Sequence, residues 1–105
     1  MEIKLTKDNF AQEVLQSDKK VLVDFYADWC GPCQMMGPVI EEIAGERADI
    51  KVCKLNIDEE MEIAQQYGVM SIPNLVLFKN GEIINRQVGA LPKNELKALI
   101  ENSLN

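Results

Sequence analysis

The sequence predicts an α/β fold in which a mixed central β-sheet is covered by helices on both faces. Apolar residues recur at helical spacing in several segments that alternate with strand-like segments. Residues 21–27 are apolar at nearly every position, as a central strand buried on both faces requires. The Asn80-Gly81 pair separates two further strand-like runs, which is typical of an antiparallel hairpin. The resulting element order is β-α-β-α-β-α-β-β-α.

Two strands and two helices are predicted in the first half of the chain. Residues 2–5 have the pattern of a short strand, and Thr6 offers a hydroxyl that caps the following helix. The second strand, residues 21–27, leads through Cys33 into a helix in which Pro38 is expected to cause a kink. The apolar faces of the two helices are expected to hold Phe10, Ala11, Val14 and Leu15, and Met36, Val39, Ile40, Ile43 and Ala44.

A third strand over residues 51–57 is followed by a short helix. Asp58 is predicted to cap this helix, and Glu59 and Glu60 are expected in its first turn, where the helix dipole favours acidic groups. Gly68 is expected to end the helix, because glycine adopts the left-handed conformation that is common at this position.

The last part of the chain predicts a hairpin and a terminal helix. Residues 75–78 and 83–88 flank Asn80-Gly81, which supplies the two positive φ angles of a type I′ turn. Pro92 lies near the start of the final helix. Its apolar face is expected to contain Leu96, Leu99, Ile100 and Leu104.

Composition restricts the possible functions. The chain has 105 residues, enough for one domain with one core, and we expect a single domain over residues 1–105. Eleven basic and 17 acidic residues give a net charge of −6, which argues against nucleic acid or an anionic membrane as a partner. There is no histidine, which removes most catalytic triads and imidazole-based acid–base schemes.

Cysteine usage and the start of the chain indicate a cytoplasmic protein. No cationic segment followed by an apolar one resembles a secretory signal, and the apolar runs are too short to span a bilayer. Three cysteines, two of them close together, are unlike the disulfide framework of a secreted domain.

Cys30 and Cys33 are the strongest candidates for chemistry. Residues three apart share one face of a first helical turn, so the two sulfurs can pair. Cys30 is expected at the helix N-terminus, where free N–H groups stabilise a thiolate, while Gly31 and Pro32 suit the entry into the helix. One sulfur is then expected to attack a disulfide and the other to resolve the product.

Two other interpretations of the cysteine pair remain open. A zinc or iron–sulfur site generally needs four cysteine or histidine ligands, and only Cys53 is available besides the pair. An inert disulfide would add little stability, because a loop of two residues constrains the unfolded chain only weakly.

The segment from Val23 to Cys33, which contains Trp29-Cys30-Gly31-Pro32-Cys33, resembles the active-site segment of thioredoxins. The resemblance covers essentially the whole chain in order. It continues through Lys54-Leu55-Asn56-Ile57-Asp58, Tyr67-Gly68-Val69, Ile72-Pro73, Phe78-Lys79-Asn80-Gly81 and Val88-Gly89-Ala90. It implies a three-layer sandwich with a mixed central sheet flanked by four helices.

The resemblance implies a protein-disulfide reductase that carries electrons through its dithiol without a bound cofactor. Cys30 would attack the disulfide of a client protein, and Cys33 would resolve the mixed disulfide. A thioredoxin reductase would then restore the dithiol, and the protein would act as a monomer. Asp24, the single charge within residues 21–27, would exchange a proton with Cys33, and Lys54 would lie near this acid. An exposed or salt-bridged Asp24 and a solvated Lys54 are the alternatives.

The resemblance also implies a client-binding surface around the cysteines. Ile72-Pro73 matches a cis-proline loop, in which the backbone of Ile72 would pair with an extended client strand. Together with Gly31 and Pro32, the apolar patch would include Trp29, Ile72, Pro73, Val88, Gly89 and Ala90. Ordinary core or turn packing is the alternative for these residues, and above all for Val88.

Several positions depart from the commonest thioredoxin pattern. Tyr26 replaces a tryptophan, Met70-Ser71 replaces a basic residue and a glycine, and Asn74 replaces a threonine. These changes touch the client-facing loop and suggest a different choice of client or reductase. Cys53 has no counterpart in the motif and is expected to be a small buried apolar residue, with a regulatory thiol as the alternative.

Two rival functions remain. A disulfide oxidase or isomerase is disfavoured by the Gly31-Pro32 dipeptide and the missing signal, since oxidases work outside the reducing cytosol. A binding module would use the apolar patch without turnover and would survive loss of both Cys30 and Cys33.

Overall fold

The computed structural model describes residues 2–103, and within this range it contains five strands and four helical segments. Their order is the one that the sequence predicts. Leu104, which was expected on the last helix, lies outside the described residues. The elements are β1 (Ile3–Lys4), a π-helical segment (Ala11–Leu15), β2 (Lys20–Tyr26), α1 (Gly31–Glu46), β3 (Ile50–Asn56), α2 (Met61–Gln66), β4 (Asn74–Lys79), β5 (Glu82–Val88) and α3 (Lys93–Asn102).

The five strands form one mixed sheet in the order β1-β3-β2-β4-β5. Strand β2 lies at its centre, paired in parallel with β3 and antiparallel with β4. All of residues 21–25 are buried, which explains why this segment is apolar on both faces. The predicted mixed sheet is confirmed.

Each face of the sheet has its own apolar core. One core joins the π-helical segment and α2 to the sheet through residues such as Phe10, Val14 and Ala64. The other joins α1 and α3 to the sheet through residues such as Met36, Ile40, Ile43, Leu96 and Ile100. Helices therefore cover both faces, and the predicted three-layer architecture is confirmed. No helix within residues 2–103 is long and apolar enough to cross a membrane.

The first helix differs from the prediction in two ways. It is a five-residue π-helical segment, Ala11–Leu15, and only Phe10 and Val14 of the predicted face are buried. Ala11 and Leu15 are exposed, because the wider helical turn places them away from the core. The Thr6 hydroxyl accepts a hydrogen bond from the Asp8 N–H, in the turn before this segment rather than at its first residue.

Asp58 does not cap α2, and this prediction was wrong. The helix begins at Met61, so Glu59 and Glu60 precede it, and Glu60 occupies the N-cap position without a capping hydrogen bond. The Asp58 carboxylate instead accepts a hydrogen bond of 2.8 Å from the indole N–H of Trp29. This tertiary contact uses the oxygen that the local pattern assigned to the helix.

The predicted end of α2 and the predicted hairpin are confirmed. Gly68 has a φ angle of +68° directly after the C-cap residue Tyr67. Asn80 and Gly81 have φ angles of +52° and +79° and join β4 to β5, as a type I′ turn requires. Helix α1 is continuous from Gly31 to Glu46 with Pro38 inside it, and a kink at that position stays a prediction.

Candidate active site

Cys30 and Cys33 lie where the central strand β2 gives way to α1. Cys30 is the N-cap residue of α1 and has an extended backbone, and its N–H donates to the Ala27 carbonyl over 3.2 Å. Gly31 and Pro32 form the exposed first turn, in which the missing N–H of proline needs no partner. Cys33 therefore follows one turn after Cys30, on the same side of the helix.

The two cysteines form a disulfide, with their Cα atoms 5.2 Å apart. Both residues are buried, in a small cluster with Ala27 that Tyr26, Ile57 and Ile72 border. The Sγ atom of Cys30 also accepts a hydrogen bond of 3.2 Å from the backbone N–H of Cys33. The same N–H, together with the dipole of α1, favours a negative charge on Cys30 once the disulfide opens.

Asp24 lies beneath this pair, in the middle of β2. Its exposed fraction is 4 %, and its Oδ1 atom is buried without a hydrogen-bond partner among residues 2–103. The pKa of this carboxyl is raised from 3.8 to about 7, mainly by burial and also by the Glu2 carboxylate, while Lys54 acts to lower it. The exposed or salt-bridged Asp24 that the sequence left open is therefore not observed within the described residues.

A cavity of about 430 Å³ connects Asp24 with Cys33 and Lys54. Lys54 lies beside Asp24 in the parallel pairing of β2 with β3, so its side chain points to the same face of the sheet. Glu2 also lines this cavity, and its own pKa is raised, mainly by burial. No local pattern marks Glu2 as a site residue, because only the docking of β1 beside β3 brings the N-terminal segment here.

The Ile72-Pro73 segment faces the cysteines, and its peptide bond is cis. The Ile72 carbonyl oxygen lies 3.8 Å from the Cys30 Sγ atom. Gly89, which has a φ angle of +94°, donates its N–H to the Pro73 carbonyl over 2.8 Å. The loop before β4 and the end of β5 are thus brought together beside Cys30, as the resemblance implied.

The apolar surface around Cys30 is only partly as expected. Trp29 is 69 % exposed and Val88 is 50 % exposed, so core packing is the wrong alternative for Val88. Ala90 is also exposed, and Ile72 is half-buried. Pro73 is buried, so its ring adds little exposed surface. Met70 is 95 % exposed in the same loop and extends the apolar surface.

Asn74 and Arg86 form a contact that the sequence did not predict. Asn74 is buried, and its Oδ1 atom accepts a hydrogen bond of 3.1 Å from Arg86. Arg86 also donates to the Tyr67 carbonyl over 2.6 Å. A charged residue within β5 was the only available signal, and it does not reveal a partner twelve residues away.

Cys53 is separated from this chemistry. It is fully buried in the core between the sheet and the π-helical segment, whereas Asp24 faces α1. Burial raises the pKa of its thiol to about 12. The expectation of a small buried apolar residue at this position is confirmed.

A pair of sulfurs close enough to bond, at a helix end that favours a thiolate, can exchange two electrons with another dithiol. The protein is a thiol–disulfide oxidoreductase.

The family model described as thioredoxin matches residues 1–102. Curated relatives include thioredoxin of Alicyclobacillus acidocaldarius subsp. acidocaldarius, 52 % identical over 95 % of this chain and 95 % of that one. Thioredoxin 1 of Nostoc sp. (strain PCC 7120) is 50 % identical over 95 % of this chain and 94 % of that one. Thioredoxin of Chlorobaculum thiosulfatiphilum is 49 % identical over 94 % and 93 %. The chain belongs to the thioredoxin family.

Proposed function

We propose that this chain is a cytoplasmic protein-disulfide reductase, with one thioredoxin domain over residues 1–105 that acts as a monomer. Cys30 is the attacking cysteine and Cys33 the resolving one. The observation that carries this assignment is the position of Cys30 as the N-cap residue of α1, where the Cys33 N–H points at its sulfur. Only Cys30 can receive this stabilisation, because Cys33 lies inside the helix.

In the first step, the Cys30 thiolate attacks one sulfur of the client disulfide. A bond forms between Cys30 and the client, the client disulfide breaks, and the second client sulfur leaves as a thiolate that takes a proton. The N–H groups at the start of α1 hold the attacking charge in place before the reaction.

In the second step, Cys33 must lose its proton in a buried position. Asp24 lines the same cavity and has a pKa of about 7, so it can accept this proton near neutral pH. The Cys33 thiolate then attacks Cys30, the Cys30–Cys33 bond forms, and the client leaves as a thiolate that is protonated. Two electrons and two protons have passed to the client. Lys54 supports the charged form of Asp24 during the transfer.

The surface around Cys30 is proposed to bind the client as an extended strand. The Ile72 backbone lies next to the Cys30 sulfur, which supports pairing of client backbone groups with this loop. The exposed residues of this surface are Trp29, Gly31, Pro32, Val88 and Ala90. Pro73 and Gly89 shape the backbone of the loop through the hydrogen bond between them. A reductase, which we take to be a thioredoxin reductase, would use the same surface to restore the dithiol.

The test is the reduction of insulin disulfides by dithiothreitol, with wild type, Cys30→Ser and Cys33→Ser compared. We expect acceleration by wild type only, and accumulation of a mixed disulfide with insulin by Cys33→Ser. Cys53→Ala is the matched control, because it removes a cysteine outside the pair and is expected to keep full activity. Equal acceleration by folded Cys30→Ser would overturn the proposal in favour of a binding module.

A further inference from the structure

Asn74 is a polar side chain on an otherwise apolar face of β4. It shares this face with Val76 and Phe78, which belong to the core beneath α2 and the π-helical segment. Asn74 is only 2 % exposed. Burying an amide is unfavourable unless its oxygen and nitrogen form hydrogen bonds. The hydrogen bonds of Asn74 therefore offset the cost of its burial.

Arg86 supplies the partner of the Asn74 oxygen. It lies on β5 opposite Val76, and therefore faces the same core. One guanidinium nitrogen donates to Asn74 Oδ1 over 3.1 Å, and the other donates to the Tyr67 carbonyl over 2.6 Å. The planar, charged guanidinium suits this double contact, because its nitrogens diverge in a fixed geometry.

The two acceptors are the residues on either side of the client-facing loop. Tyr67 is the C-cap residue of α2, and Asn74 begins β4. Arg86 therefore bridges the two ends of the loop formed by residues 68–73. Within the loop, the Asn74 amide donates to the Ser71 carbonyl over 3.2 Å. The loop carries Ile72, whose carbonyl oxygen lies 3.8 Å from the Cys30 sulfur.

We infer that Arg86, acting through Asn74 and the Tyr67 carbonyl, is a positioning residue that holds the residue 68–73 loop in the geometry that protein clients bind. The inference rests on the proposed function and adds a determinant of client binding to it. It also gives a role to Asn74, one of the departures from the thioredoxin pattern.

The inferred role separates two kinds of substrate. A protein client that pairs with the Ile72 backbone needs the loop in one conformation before it binds. A small disulfide needs only access to the Cys30 sulfur. Suppose that, without the Arg86 contacts, the loop adopts its client-binding conformation only about a tenth of the time. The half-saturating concentration of a protein client then rises about tenfold. The rate of the bound complex stays the same, because the cysteines, Asp24 and α1 are not changed.

The experiment is a single-turnover reduction by the pre-reduced full chain, with insulin as the protein client and hydroxyethyl disulfide as the small one. Arg86→Met keeps much of the side-chain volume but cannot donate. Asn74→Ala removes one acceptor of Arg86 and the amide bond to the Ser71 carbonyl, and it leaves the bond between Arg86 and the Tyr67 carbonyl. Arg47→Met is the matched control, because Arg47 also makes two charged contacts, with Asp49 and Glu101, at the opposite end of α1.

We expect Arg86→Met to raise the half-saturating insulin concentration about tenfold and Asn74→Ala to raise it by a smaller factor, both with an unchanged limiting rate and unchanged reduction of hydroxyethyl disulfide. Arg86→Lys keeps the positive charge but lacks the two diverging guanidinium nitrogens. It is expected to bind insulin better than Arg86→Met and less well than wild type. Asn74→Ala is expected to have a smaller effect in the Arg86→Met background than alone, since the bond between the two side chains is already lost there.

Equal losses with both substrates would show a merely structural role and overturn the inference. So would an unchanged insulin concentration dependence in a variant with a wild-type circular dichroism spectrum. If Arg86→Met does not fold, Asn74→Ala alone decides between these results. Failure of wild type to reduce either disulfide would instead contradict the proposed function, so the two failures are distinguishable.

Discussion

Asp24→Asn is expected to make the protein more stable, and increasingly so as the pH rises. The substitution keeps the shape of a buried side chain but removes its ability to ionise. In the wild-type protein, this carboxyl lies at the centre of β2 with its Oδ1 atom unpartnered among the described residues. Ionisation in such a place is unfavourable, because the charge leaves water without gaining a hydrogen bond.

The magnitude follows from the two pKa values. Asp24 releases its proton near pH 3.8 in the unfolded chain and near pH 7 in the folded protein. Between these values the native state binds more protons than the unfolded state, so stability falls as the pH rises from about 4 to about 7. Below this window both states are protonated and nothing is lost. Above it the loss is complete, at about 4 kcal/mol, since each pKa unit corresponds to about 1.4 kcal/mol.

The assay is urea unfolding from pH 4 to pH 8. The protein is kept oxidised, because Cys30 and Cys33 do not titrate while they form a disulfide. The stability of Asp24→Asn minus that of wild type is expected to grow by about 4 kcal/mol over this range. Asp18→Asn, which removes an exposed aspartate, is the matched control. Parallel curves for wild type and Asp24→Asn would refute the reasoning, because they would mean that Asp24 titrates alike in both states.

Two substitutions and one labelling experiment test the fold further. Gly81→Ala is expected to lower the free energy of unfolding by about 1–2 kcal/mol, because alanine is strained at positive φ; its Cβ would also lie 3.0 Å from the Leu15 carbonyl. Gly45→Ala is expected to raise it by about 0.5–1 kcal/mol, since alanine favours the helix interior and the site is open; urea unfolding checks both, and effects of the same sign would contradict the contrast. Iodoacetamide is expected to label no thiol in the native oxidised protein at pH 8 and one after denaturation, because Cys53 is buried and its thiol has a pKa of about 12. Rapid native labelling would show that this core opens.

The elements of this fold were predictable where a local pattern has only one structural solution. The Asn80-Gly81 turn is confirmed because few residue pairs adopt two positive φ angles in succession. Gly68 ends α2 for the same kind of reason. Residues 21–25, apolar except for Asp24, indicated a central strand, because a strand with one face in water alternates apolar and polar residues.

Local patterns failed at Asp58 and at Leu15, for different reasons. Asp58 has the side chain of a helix cap, but its carboxylate accepts from the Trp29 indole, which lies 29 residues earlier. Leu15 fits an α-helical stripe, but the segment forms a π-helical turn and leaves it exposed. In both cases the sequence shows what a residue can do, and the packing selects among the possibilities.

The site divides in the same way. The Cys30–Cys33 spacing and the strand-to-helix boundary indicate the chemistry from the chain alone, since pairing within a first helical turn is a local property. The neighbours of this pair were not local. Glu2 reaches the cavity beside Asp24 through the pairing of β1 with β3. Arg86 reaches Asn74 through the β4–β5 hairpin.

By itself, the sequence determined the element order, the hairpin and the two cysteines that exchange electrons, because each depends on residues close together in the chain. Only the tertiary structure decided how deeply Asp24 is buried, which cavity it shares with Cys33 and what closes the loop around Ile72. These properties depend on distance and solvent exposure between strands far apart in sequence. The type of a residue does not specify its distance from residues elsewhere in the chain or its exposure to solvent; both are set when the chain folds.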